Sequence, residues 1–302
     1  ESAALMQKEE EYEANRKEAK YTAPDEHDGR TKWPECADVI GKIHNQGQCG
    51  SCWVFAALSA VDSHICIATI GRQYAFDIPT AQLSRTVGTS CADGNGCGGG
   101  WPSKIYTYIA DTGLPTGGDH GCNPYFGTGE GTDHFEQSSD APPCMTHCHN
   151  TGYERTFSAD LFKSRGLGGS SARDIQRNNA QGNRDAREKM YESGPLAFGM
   201  SANQAFRGYS GGIFDDDSGR ANHAMSVIGY TRNTFTFLNS WGDGWGACSD
   251  GLCGGGTITD SIVQAWCMPG DVDGIDSFPL PLPGQGPPTP PPPPTPPPPP
   301  TP

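Results

Sequence analysis

At 302 residues the chain is long enough for two domains, or for one unit of two lobes with a cleft between them, and for a well-buried core. Its formal charge of -14 argues against nucleic acid and anionic membrane surfaces as partners, because both repel an acidic protein. Twelve cysteines beside 41 glycines point to an oxidising compartment, where disulfides hold a loop-rich fold together.

In chain order, residues 1–20 read as a charged N-terminal arm, and the chain begins at Glu1 with no basic and apolar leader. Globular sequence starts near Thr22. Val54, Leu58, Val61 and Ile65 recur at helical spacing and predict a buried helix over 51–69. No stretch approaches the roughly 18 to 20 consecutive apolar residues of a membrane span. Between Ser90 and Thr156 the abundance of Gly, Pro, Cys and His predicts disulfide-tied loops, interrupted by one short helix around Ser103 to Ala110. Residues 183–193 read as an amphipathic helix ended by Gly194-Pro195. After it come the short, β-rich runs LAFGM (196–200), HAMSVIGY (223–230) and TFTFLNSW (234–241). Helices first and strands later predict an α+β unit over 21–278, mainly helical to about 160 and mainly β from about 161. Residues 279–302 form a Pro-rich tail whose end, 287–302, is a polyproline II segment. Thr289, Thr295 and Thr301 share one face of it, which suggests O-glycosylation or assembly. No Asn-x-Ser/Thr glycosylation site occurs.

Two cysteines three residues apart in QGQCGSCW (46–53) allow a redox pair, half of a zinc site or an activated nucleophile. Cys52 falls in the first turn of the predicted helix, where free N–H groups and the dipole favour a thiolate. His223 opens one predicted strand and Asn239 ends the next, so a second lobe could supply a base and a group to orient it.

With these residues the sequence resembles the papain family of cysteine proteases, and within it the cathepsin B group, from about Asp25 to Tyr230. The motifs are QGQCGSCW, GCGGGW, ANHAMSVIGY and NSWGDGWG, with DGRTKWPEC, HICIAT and GCNPY on the cathepsin B side. The resemblance implies a papain-like two-lobed fold with a β-barrel-like second lobe, and Cys52, His223 and Asn239 as nucleophile, base and orienting amide. It implies Gln46 as the side-chain donor of the oxyanion hole. Gly99, Gly100, Trp241 and His134 then bind substrate. It further implies the bridges Cys36–Cys66, Cys49–Cys97, Cys91–Cys144 and Cys122–Cys148. At most one more bridge is left for Cys248, Cys253 and Cys267, so one of those thiols stays unpaired. The cluster CMTHCH (144–149), with His120 and Cys122, has the spacing of a zinc site, but those bridges use its thiols. No metal or cofactor is expected.

Expected partners are peptide or protein substrates and cystatin-type inhibitors, in a lysosomal, vacuolar or secreted setting. The loop at 123–143 has no internal cysteine and a single plausible histidine, His134, so it is expected to lack a tether, and endopeptidase action is expected to exceed carboxydipeptidase action. By register, an acidic pocket residue falls near Asp260 or Ser261. The rival function is a non-catalytic interaction protein on a protease-like scaffold, acting through its proline tail.

Overall fold

A computed structural model describes residues 22–70, 82–92, 95–168, 173–175, 180–249, 252–272 and 275–277. The expectations for residues 1–20 and for the Pro-rich tail lie outside the described residues.

The first half is helical. Short helices α1 (Gly29–Lys32) and α2 (Ala37–Ile40) precede α3 (Cys52–Thr69), α4 (Arg85–Cys91) and α5 (Pro102–Asp111). Helix α3 is apolar nearly all round, with Trp53, Val54, Phe55, Ala57, Leu58, Val61 and Ile65 all buried, as a helix must be when protein covers every face. By length and composition it passes as a membrane span although polar residues interrupt its apolar run; 83 % of it is buried inside the fold. It packs on α2, α4 and α5 on one side and on the sheet on the other, and so forms the wall between the lobes.

The second half adds α6 (Ala180–Ser193), α7 (Gln204–Arg207) and most of a nine-stranded sheet. Its strands are β1 (His27–Asp28), β3 (Arg173–Ile175), β4 (Leu196–Met200), β5 (Ile213–Phe214), β6 (His223–Tyr230), β7 (Thr234–Leu238), β8 (Ala247–Ser249), β9 (Leu252–Thr259) and β10 (Ala265–Met268). The main path runs β3-β10-β4-β6-β7-β9-β5, with β1 added to β6 and β8 to β9. A separate pair joins β2 (Lys163–Ser164) to β11 (Ile275–Ser277). All of β4 and β6 is buried, which explains why both read as unbroken apolar runs rather than alternating ones. Two cores follow: Val54, Leu58, Ile105 and Phe162 in the helical lobe, and Phe198, Phe206, Phe235, Phe237 and Trp266 in the β lobe. The α+β, papain-like architecture is as expected.

The segment GACSDGLCGGG (246–256) supplies the antiparallel pair β8 and β9. Cys248 and Cys253 lie opposite each other on β8 and β9 and are bridged. Gly256 has a packing reason: a Cβ there would come within 2.4 Å of the Tyr209 ring. The other four bridges join Cys36 to Cys66, Cys49 to Cys97, Cys91 to Cys144 and Cys122 to Cys148. Cys52 and Cys267 form no disulfide, and both are buried.

Candidate active site

Cys52 is the first residue of α3. The bridge from Cys49 to Cys97 and the turn in which Ser51 N–H donates to Cys49 O at 2.7 Å hold the chain just before it. The backbone N–H groups of Ala224, Trp53 and Cys52 itself favour the thiolate, yet burial dominates and raises the thiol above its ordinary value. The expectation that the helix terminus lowers the thiol pKa is therefore corrected. Cys52 is only 9 % exposed, and removing the charge from water outweighs the dipole at this site.

His223 opens β6 and Asn239 follows β7, and the antiparallel pairing of those strands brings the two side chains together. His223 Nε2 lies 2.7 Å from Asn239 Oδ1, which also accepts the Ser240 N–H at 2.8 Å. An amide oxygen can only accept, so the neutral ring carries its proton on Nε2. Nδ1 is then the bare nitrogen; it is buried and makes no hydrogen bond. Burial lowers the His223 pKa to about 3, the Asn239 bond opposes this, and the nearby His134 adds to it. The Trp241 ring covers the imidazole at 4.6 Å. Cys52 meets the start of the same strand through Ala224, with which it shares a small buried cluster that includes Ala56, Ala197 and Cys267.

Gln46 is fully buried. Its Nε2 donates to Cys49 O at 2.8 Å, while its Oε1 accepts from Ser240 Oγ at 2.7 Å. Among the described residues the second amide hydrogen finds no acceptor: His134 Nδ1, 3.4 Å away, itself donates to Gly131 O at 2.6 Å. Ser240 and Tyr125, which donates to Gln46 O at 2.9 Å, were not singled out from the sequence. Only the adjacency of Ser240 to Asn239 in NSW was a clue to either.

The loop at 123–143 lies against this segment. Gln48 N–H donates to Thr128 O at 3.0 Å, Ser139 N–H donates to Gln48 O at 2.6 Å, and Asn45 Nδ2 donates to Gly129 O at 3.0 Å. As expected, the loop holds no disulfide of its own; hydrogen bonds to Gln48 and Asn45 fasten it instead. A Cβ on Gly131 would come within 2.3 Å of Trp241 Cα, so only glycine allows this approach. Next along, Phe135 stands edge-on to Trp241 at 5.6 Å. Burial lowers the pKa of His134, which leaves it a neutral donor to Gly131.

Gly99 and Gly100 follow Cys97, the bridge partner of Cys49. A Cβ on Gly99 would meet nothing within 4 Å, so the backbone there is open. Trp101 beside them is 40 % exposed. Asp260 carries no free carboxylate, since it is paired at 3.0 Å with the buried Arg187.

Comparison with known proteins identifies relatives of the chain and of its fold. Residues 23–252 match the model of the papain family cysteine proteases. A gut-specific cysteine proteinase of Caenorhabditis elegans is 32 % identical over 234 residues, covering 74 % of this chain and 67 % of that protein. The cathepsin B-like cysteine proteinases 3 and 4 of the same nematode are each 30 % identical over 74 % of this chain, which spans 59 % and 68 % of their lengths. Among solved structures, procathepsin B S9 from Trypanosoma congolense superposes with a TM-score of 0.61 at 19 % identity, covering 82 % of this chain and 78 % of that one. A Carica candamarcensis cysteine protease solved with E-64 gives 0.56 at 24 % identity, over 82 % and 99 % of the two chains. At such identities these structures speak for the fold.

Proposed function

This chain belongs to the papain family of cysteine proteases, and on that premise we propose that it is an endopeptidase working through Cys52, His223 and Asn239. The observation that carries the reading is the buried imidazole, held by Asn239 on one nitrogen and bare on the other. As substrate binds, the Cys52 proton passes to His223 Nδ1 and the sulfur forms a bond to the scissile carbonyl carbon. The oxyanion is taken up by the Cys52 N–H and the uncommitted hydrogen of Gln46 Nε2. Collapse breaks the C–N bond, the amine leaves with the proton from His223, and water activated by the neutral imidazole then releases the acid. The open backbone at Gly99 suits an extended chain on the acyl side, while Gly100 packs against the Trp53 ring.

Endopeptidase action requires the loop at 123–143 to lift from the leaving-group side. Among the described residues no ion pair holds that loop, and main-chain bonds exchange readily with water. Trimming of carboxyl ends is the second reading, favoured by the loop's closed placement on Gln48. Stoichiometric labelling of Cys52 by a peptidyl epoxide tests catalytic competence against a purely interacting role, and mass spectrometry of digests separates the two cleavage modes. Dominant successive loss of carboxy-terminal dipeptides would overturn endopeptidase action. The five bridges fit an oxidising compartment; a lysosomal, vacuolar or secreted setting accords with them and with the family.

A further inference from the structure

We infer that Arg207 is a specificity-determining residue that reads a carboxylate on the leaving-group side of the scissile bond. The inference rests on the peptidase reading above and adds what the site selects. His223 gives its proton to the departing amine, so the leaving half of the substrate must cross the face on the His223 side of Cys52. That face is built of Trp241 against His223 and Phe135 edge-on to Trp241. Arg207, the last residue of α7, lays its guanidinium 3.7 Å over the Phe135 ring.

The group is held ready for a ligand. Its Nε donates to Ala202 O at 3.4 Å, and its own carbonyl accepts the Trp245 Nε1–H at 3.0 Å, so backbone and side chain are both fixed. The two terminal NH2 groups have no carboxylate partner among the described residues. In a chain of charge -14, a half-buried arginine left without an acid is a conspicuous vacancy. The neighbouring acid does not fill it: Asp133 turns a carboxylate oxygen back to the Glu130 N–H at 3.0 Å. His134, the cation expected here from sequence, already donates its Nδ1 hydrogen to Gly131. An arginine fixed at Nε and stacked on an aromatic ring presents a planar, end-on fork suited to a carboxylate. The carboxylate can come from an Asp or Glu side chain or from the chain terminus.

The test is cleavage of internally quenched peptides that carry Asp or Glu, against Asn or Gln, at the first two leaving-group positions, each with a free and an amidated carboxyl end. Enzyme is counted by epoxide titration of Cys52. The expected result is a preference of about tenfold in kcat/KM for the carboxylate, abolished in Arg207→Gln and partly kept in Arg207→Lys. A preference confined to free carboxyl ends would identify the terminus as the source, and one that survives amidation the side chain; either supports the inference. Equal cleavage of acidic and neutral peptides with both ends, or an acidic preference that persists in Arg207→Gln, would overturn it while leaving the peptidase reading intact. Failure to cut any peptide would overturn both.

Discussion

At the scale of single residues, the site depends on hydrogen bonds that leave one atom of each partner free for chemistry. Cys52 is outside every bridge and supplies the sulfur, so Cys52→Ala is expected to fold as the parent does, by circular dichroism, while peptide hydrolysis falls to background. Measurable turnover in that variant would remove the proposed nucleophile. Asn239 only orients the imidazole, and Asn239→Ala is expected to lower kcat/KM about 10- to 100-fold rather than abolish it. Ser240 is a subtler case, because its hydroxyl fixes the amide of Gln46 by binding Oε1. Ser240→Ala lets that amide rotate, and kcat is expected to fall about tenfold with KM little changed, as for a contact that matters chiefly in the transition state. A rise confined to KM would instead mark Ser240 as part of ground-state binding. The sequence displays Cys52, His223 and Asn239 because each sits in a motif. It hides Arg207, because AFRGYS carries no motif and Phe135 comes beside it only through folding.

At the scale of elements, the loop at 123–143 lies against the Gln46–Gln48 segment and the β8–β9 hairpin carries a bridge of its own. The loop's contact with Trp241 needs a glycine at 131, so Gly131→Ala is expected to push the loop outward and raise cleavage of long peptides relative to dipeptide release, as read by mass spectrometry. An unchanged ratio would show that the loop does not limit access. The hairpin bridge spans a sequence separation of 5 against 48 for Cys49–Cys97. Loop-closure entropy then predicts that converting both hairpin cysteines to serine costs about 2 kcal/mol, while the same change at Cys49 and Cys97 costs about 4 kcal/mol. Urea unfolding of the two double variants measures both, and a larger loss at the hairpin would refute the ordering. Helix α3 and strands β4 and β6 are legible in the sequence because their burial writes a continuous apolar run. The glycine-rich β9 is not, because the Tyr209 ring that shapes it comes from elsewhere in the chain.

For the whole molecule, several histidines are folded in as neutral groups. Burial lowers His223 to about 3 and both His27 and His64 to about 4, and holds His44 well below its usual value beside Arg85. Each would accept a proton near pH 6.5 once unfolded, so the unfolded state binds more protons as the pH falls. Stability is therefore full above about pH 6.5 and is lost progressively down to about pH 4. Asp62 and Asp160, which burial raises above their ordinary value, work in the opposite direction, because their protonation favours the folded state. The urea midpoint is accordingly expected to fall between pH 7 and pH 5. A constant or rising midpoint over that interval would mean that other titrations compensate, and would sink this account of acid sensitivity.

The sequence by itself determined the lobe order, the nucleophile with its base and orienting amide as candidates, and the family. Apolar periodicity and short catalytic motifs are local properties, written within a few residues of one another. Only the tertiary structure decided which thiol of Cys248, Cys253 and Cys267 stays unpaired, because that depends on β8 and β9 meeting in register. It likewise decided that the loop at 123–143 is fastened by backbone hydrogen bonds, which leave no trace in side-chain identity. The charge state of the site was also decided there. A helix N-terminus favours a thiolate in any context, but the desolvation that opposes it comes from β4, β6 and the loop, which the chain brings to Cys52 only when it folds.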